Sequence, residues 1–318
     1  MSTESIQPPD DSFSAEALRA LESLTQESTL QNVEQFEAVA LTMMQEGIKY
    51  AERHPSPDQA VEDTLGGLYA AHDWPAALAT VRQLAQSAAD RGDFPRTYLW
   101  QQRASALLHV LGEPDAARAA ARAATDAARR TEGIKPIIQS ALENEALHAL
   151  ETNDATAAAG LIEEALIQIG TEAFERLTRA RTLVVRARSR IALGDLTGAE
   201  TDLQEAWPMV ERMGDSFILA GGRASLARWY ETQARLHRAR GELSLAIANQ
   251  NLGITRRRTV LEAPQIERHF SGSALAHSLL TLADWLRESN DLPTARAAAA
   301  EAHALLRDLQ IPVRPAGA

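Results

Sequence analysis

Cysteine is absent from this chain, so disulfides, thiolate zinc sites and cysteine nucleophiles are excluded. Aromatic residues make up only 5% of it, too few for a sheet-based core, where aromatic and β-branched side chains are favoured. Lysine is nearly missing: Lys49 and Lys135 are the only two, and the other basic residues are arginine. No apolar run approaches the roughly 18 residues of a membrane span. The stretch Met1 to Ser14 is polar and acidic, with Pro8-Pro9-Asp10-Asp11, and lacks the basic start and apolar core of a secretory signal. A cytoplasmic protein is expected.

Catalytic motifs are lacking as well. The sequence has no Gly-x-Ser-x-Gly elbow, Walker loop, His-Glu-x-x-His pair or Gly-x-Gly-x-x-Gly following a strand. Glu145 and His148 form half of the Glu-x-x-His pattern of di-iron bundles, but no second copy exists. His269 and His277 are too far apart to be ligands one helical turn apart. The expectation is therefore no enzyme, no cofactor and no metal site.

What the chain does have is a repeat. Six turns, at His72-Asp73, Gly112-Glu113, Asn153-Asp154, Gly194-Asp195, Gly241-Glu242 and Asn290-Asp291, recur at intervals of 40, 41, 41, 47 and 49 residues. A period of this size indicates stacked helical hairpins. Four residues after each acid stands an alanine: Ala77, Ala117, Ala158, Ala199, Ala246 and Ala295. Seven residues further on come Leu84, Ala124, Ala165, Ala206, Gly253 and Ala302. Seven residues before each turn come Leu65, Ser105, Ala146, Ala187, Ala234 and Ala283. Small residues at three phased positions are what two antiparallel helices need to approach closely.

Boundary signals keep the same phase. Ser56-Pro57-Asp58-Gln59 reads as a capping box with proline at the first helical position. Asp73, Asp195 and Asp291 read as N-caps. Gly92, Gly133, Gly170 and Gly214 mark the ends of second helices, and Pro95, Pro114, Pro136 and Pro293 fall in loops or first turns. Hairpins are predicted over about 56–91, 94–131, 136–170, 172–213, 216–258 and 264–309. A disordered acidic leader (1–13) and capping helices within 14–55, at about 14–27 and 30–53 with Leu18, Leu21 and Leu24 in helical spacing, precede the array at 56–310. An irregular tail (311–318) follows it. Gly66-Gly67 and Gly221-Gly222 fall inside helices, where a kink, a close helix contact or a hinge would account for them.

The motif of small residue, Gly/Asn-Asp/Glu turn, alanine and small residue resembles the tetratricopeptide repeat family over about 250 of the 318 residues. It is clearest in Ala187, Gly194, Asp195, Leu196, Ala199, Leu203 and Ala206, and again in Ala283, Leu286, Asn290, Asp291, Leu292, Ala295 and Ala302. The period exceeds the family's usual length of about 34, as in long-helix variants of kinesin light chains and bacterial regulators, and most consensus aromatics are replaced. HEAT and armadillo repeats share the longer period but not the acidic turn with its fixed alanine. The resemblance implies an all-α, right-handed α-solenoid of about six hairpins.

Net charge is −11, which disfavours wholesale binding to nucleic acid or anionic membrane. Residues 172–258 nevertheless hold 15 arginines against 10 carboxylates. In the family the first helix of each hairpin lines a concave groove, and that rule places Arg181, Arg188, Arg228, Arg235 and Arg238 there. Arginine suits carboxylates and phosphates. The alternative for these residues is a solvated face paired to glutamates. The same rule brings Gln102, Arg103, His109, Glu143, Asn144, Leu147, His277, Asp284 and Arg287 to the groove. Arg256-Arg257-Arg258 reads as helix C-terminal cations more readily than as a nucleic-acid contact. The resemblance implies a non-catalytic scaffold or adaptor whose groove holds a protein segment, with an acidic stretch as the matching ligand. The alternative is a sensor, like those of bacterial regulators, that responds to a small ligand or peptide and acts through another chain.

Overall fold

The computed structural model describes residues 56–131, 135–169, 173–214, 220–261 and 268–311. Nearly all of them belong to one compact unit, Asp58–Thr171 with Glu175–Ala318. The acidic leader, the expected capping helices, Gly133, Gly170 and the tail beyond Ile311 lie outside the described residues. Of Gly221 and Gly222 only the helical backbone is described.

Among the described residues there are helices only, and they pair as the sequence predicts. The first three hairpins are α1 (Gln59–Ala70) with α2 (Trp74–Asp90), α3 (Phe94–Leu111) with α4 (Pro114–Arg129), and α5 (Lys135–Glu151) with α6 (Ala155–Gln168). The last three are α7 (Ala173–Leu193) with α8 (Leu196–Gly214), α9 (Ala220–Ala239) with α10 (Leu243–Leu261), and α11 (Arg268–Glu288) with α12 (Leu292–Asp308). Each hairpin packs on the next, giving an all-α solenoid. None of these helices is long and apolar enough to cross a membrane.

The turns explain their own composition. The residue that opens each turn has left-handed backbone, with φ of 55° at His72, 88° at Gly112, 59° at Asn153, 84° at Gly194, 79° at Gly241 and 65° at Asn290. Glycine and asparagine tolerate that region best. The acidic residue that follows then donates its N–H back across the turn, as from Asp73 to the Leu68 carbonyl at 3.0 Å and from Asp195 to the Arg190 carbonyl at 2.9 Å. This is the Schellman closure of a helix. Where the acid is aspartate it also caps the next helix. Asp73 accepts from the N–H of Ala76, Asp154 from Ala157, Asp195 from Gly198 and Asp291 from Thr294. Glu242 does not, because its longer side chain turns back to His237 at 2.6 Å.

All of the phased positions are buried. The six alanines after the turns are 0–2% exposed, and the residues seven positions before each turn and seven after each alanine are buried as well. At Gly253 a Cβ would stand 3.2 Å from the Ala227 carbonyl and 2.9 Å from Glu231 Cγ, so α9 and α10 approach as closely as backbone allows. Gly66 and Gly67 differ, since a Cβ on either would meet nothing within 4 Å. The close helix contact offered for them is absent.

The expected capping box at Ser56 is also corrected. Helix α1 begins at Gln59, with Asp58 at the N-cap position but making no side-chain cap bond. Its carboxylate is taken instead by Ser87 of α2 at 3.0 Å and by Arg91, just past the end of that helix, at 2.5 Å.

The largest departure from the sequence reading is closure. Trp74, at the start of α2, donates its indole N–H to the carbonyls of Leu309 (3.1 Å) and Gln310 (3.2 Å), at the end of α12. Phe270 of α11 packs into the core of the first two hairpins, and Val110 of α3 packs into the core of the last. Hairpin six therefore lies against hairpins one and two, and the inner ends of α3 and α11 meet.

Candidate functional site

The first helices of the hairpins bring one ionic cluster together. Glu143 of α5, only 3% exposed, lies 3.5 Å from Arg181 of α7 and 3.4 Å from Arg228 of α9. Gln139, one turn earlier, donates to Glu143 at 3.1 Å and to Thr182 at 2.9 Å. Burial pushes the Arg228 guanidinium down to about 10, against the pull of Glu143, so it remains charged at neutral pH.

Beside it, Glu231 of α9 is held by Arg257 of α10 through two hydrogen bonds, one of them between Nη2 and Oε2 at 2.6 Å, and by the Ser278 hydroxyl of α11 at 2.6 Å. Burial pushes the Glu231 carboxyl up, but Arg257 and Ser278 more than reverse this and hold it below the usual carboxylate range. Arg257, the middle of the arginine triplet, thus belongs to the interior, while Arg258 makes a two-pronged pair with Glu301 at 2.8 Å.

The five predicted groove arginines divide into two classes. Arg181 and Arg228 share Glu143, and Arg238 forms a fork with Glu288 at 2.7 and 2.8 Å. Arg188 and Arg235 have no hydrogen bond or ion pair among the described residues. They occupy equivalent places, six residues before Gly194 and Gly241. Burial pushes Arg188 down to about 10, and the charge of Arg235 pushes the same way. Arg235 is lowered too, burial first, although the residue as a whole is exposed to solvent. Glu151 and Glu231 supply the nearest opposing charge to both. Arg181 keeps a buried Nε–H without a partner among the described residues.

A second cluster adjoins the first. Glu151 Oε2 lies 3.0 Å from His109 Nδ1 of α3 and 3.0 Å from His148 Nδ1 of α5. The His148 Nε2 stands 2.7 Å from Ser105 Oγ, which also accepts from Asn144 Nδ2 at 3.4 Å. The ring of His277 on α11 approaches that of His109, with centroids 5.6 Å apart. Burial pushes the Glu151 carboxyl up, and its bonds to the two histidines more than offset that, holding it far below the usual range. Glu145, by contrast, points to Arg122 at 3.4 Å. The acid that accompanies His148 is therefore Glu151.

Of the other groove candidates, Asp284 and Arg287 pair with each other at 2.5 Å on an exposed surface, and Arg103 lies over the Trp100 ring at 6.0 Å. The sequence reading missed Glu151, Glu231 and Ser278. Glu151 was accessible through its i,i+3 spacing from His148. Glu231 and Ser278 carried no local signal, because their partners lie one hairpin away.

No family model and no curated protein matches the chain. Among solved structures it is similar to BtubC (BKLC) from P. vanneervenii, at 17% identity and a TM-score of 0.48, covering 77% of this chain and 97% of that one. It is also similar to the P58(IPK) TPR domain, at 14% identity and a TM-score of 0.22, covering 94% and 80% respectively. The fold assignment rests on the turns and packing of the chain itself: it is an all-helical repeat of antiparallel hairpins.

Proposed function

We propose that this chain is a tetratricopeptide-like interaction scaffold, and that Arg188 and Arg235 receive an acidic group of a bound protein segment. The observation that carries this is the division among the inner arginines. Three have carboxylates of the chain itself, and two, side by side, have none among the described residues. Arg188 is half-buried and Arg235 exposed, so an incoming carboxylate can reach both and pair with them through forked hydrogen bonds. The unpartnered Nε–H of Arg181 adds a donor on the same helix. Adaptor function, an acidic segment as ligand and a cytoplasmic setting belong to this reading.

Fluorescence anisotropy with labelled acidic peptides tests it. Wild-type protein should bind in a salt-dependent manner, and Arg188→Gln and Arg235→Gln should each weaken binding at least tenfold. Arg238→Gln, which removes an arginine already paired to Glu288, should change it little. Equal affinity across wild type and the first two variants would sink the proposal.

The second reading, a sensor acting through another chain, is favoured by the closure between hairpin six and hairpins one and two. A ligand drawing α7 and α9 together acts on the same array that Trp74 closes. Its signature is a ligand-dependent change in solution scattering that Trp74→Phe abolishes.

A further inference from the structure

The cluster of His109, His148 and Glu151 has a geometry beyond that of a hydrogen-bonded triple. We propose that these three side chains form a binding site for a transition-metal dication of the zinc type. Three donor atoms, one from each side chain, lie within 4.8 Å of one another. Glu151 Oε2 is 3.0 Å from each histidine Nδ1. Tetrahedral zinc with bonds of about 2.0–2.2 Å sets its ligand atoms roughly 3.4 Å apart. Each carboxylate–imidazole distance is therefore within a few tenths of an ångström of that spacing.

The donor chemistry fits. Two imidazoles and one carboxylate suit zinc and its neighbours, while the lack of cysteine removes thiolate-selective ions. Two ligands come from consecutive turns of α5 and the third from α3, so packed helices hold the site. The environment of His148 is that of an oriented ligand. Its Nε2 is tied to Ser105 Oγ at 2.7 Å, and Asn144 Nδ2 steadies that hydroxyl at 3.4 Å. A bond on the remote nitrogen fixes tautomer and ring direction and presents Nδ1 to the ion.

The surroundings provide access. His148 is buried, but the side chains of His109 and Glu151 are 31% and 27% exposed, so a hydrated ion reaches the cluster from their side. Across from His109 stands His277, whose Nδ1–H donates to the Ser273 carbonyl at 2.8 Å. Arg188 and Arg235 act electrostatically on Glu151. Their positive charge disfavours a bare dication and favours one carrying an anionic fourth ligand. The metal site is independent of the peptide reading above, since it uses none of the arginines as a ligand.

The test uses the untagged full chain, stripped with chelator and titrated with zinc by calorimetry and with cobalt by visible absorption. The expected result is one ion per chain, with the intense ligand-field bands of low-coordinate cobalt. His109→Gln and Glu151→Gln should each weaken binding at least tenfold, and Ser105→Ala should weaken it by about 10–100-fold through loss of the bond that orients the His148 ring. Zinc should also raise the thermal unfolding midpoint of wild type and not that of His109→Gln. Absence of stoichiometric binding, or binding that His109→Gln leaves unchanged, would overturn the proposal and reduce the cluster to a hydrogen-bonded relay. His109 is partly exposed and its replacement leaves α3 intact, so that variant decides the matter even if Glu151→Gln folds poorly.

Discussion

Trp74 donates its indole N–H to the carbonyl of Leu309 at 3.1 Å, joining two residues 235 positions apart in the chain. Trp74 is 2% exposed and sits against the ring of His269 at 4.8 Å. A single side chain on the second described helix thus satisfies the backbone at the end of the last.

Removing that bond should loosen the closure. Trp74→Phe keeps an aromatic ring but leaves the Leu309 and Gln310 carbonyls without the indole donor, at a cost of about 1–3 kcal/mol. Urea unfolding measures the loss, and hydrogen exchange should show faster opening in α12 than in α6 or α8. Unchanged protection of α12 would mean that closure does not depend on this bond.

Glycines of the two kinds should respond with opposite sign. Gly66→Ala and Gly67→Ala place a methyl in open space within a helix and should each stabilise the protein by about 0.5–1 kcal/mol. Gly253→Ala drives a methyl against the Ala227 carbonyl and Glu231 and should destabilise it. Thermal unfolding of the three variants, compared in sign, is the measurement.

Overpacking a phased alanine should be felt strongly. Ala199 is fully buried between α7 and α8, so Ala199→Leu forces those helices apart at about 1–3 kcal/mol. Ala192→Leu, at an exposed position of the same hairpin, is the control and should be near neutral.

The Glu231–Arg257 pair predicts a specific acid response. The Glu231 carboxyl is held below its ordinary value of 4.5, so its contribution is complete above that value and is lost as pH falls through the lower, folded one. Stability should be level between about pH 7 and pH 5 in this respect. Glu231→Gln should cost roughly 2–4 kcal/mol at pH 7, because it strands an enclosed arginine, and the gap to wild type should narrow below about pH 4. A gap that is constant with pH would remove Glu231 from the account. Glu231→Gln with Arg257→Met should recover much of the loss.

The hairpins were legible because each is specified locally. Left-handed φ at the turn selects glycine or asparagine, as at Gly194 and Asn290. The aspartate beside it caps the next helix, and the small residues at fixed distance allow contact. All of these signals lie within one unit of the chain. The helix expected to open at Ser56 opens at Gln59 instead, and the N-cap residue Asp58 pairs with Arg91, a residue outside the local window.

The site was legible only as a list of side chains on the right helices. Arg181, Arg188, Arg228, Arg235 and Arg238 all lie on first helices of their hairpins, and nothing local separates Arg188, with no described partner, from Arg181, paired to Glu143. That distinction depends on how far each hairpin rotates on the last, a small angle that accumulates along a repeat array. The sequence by itself determined the helices, their turns and their inward faces, through backbone sterics and the size of alanine. Only the tertiary structure decided that Trp74 meets Leu309, that His109 meets Glu151, and which arginines already have a carboxylate, because those meetings follow from the summed rotation of the whole array.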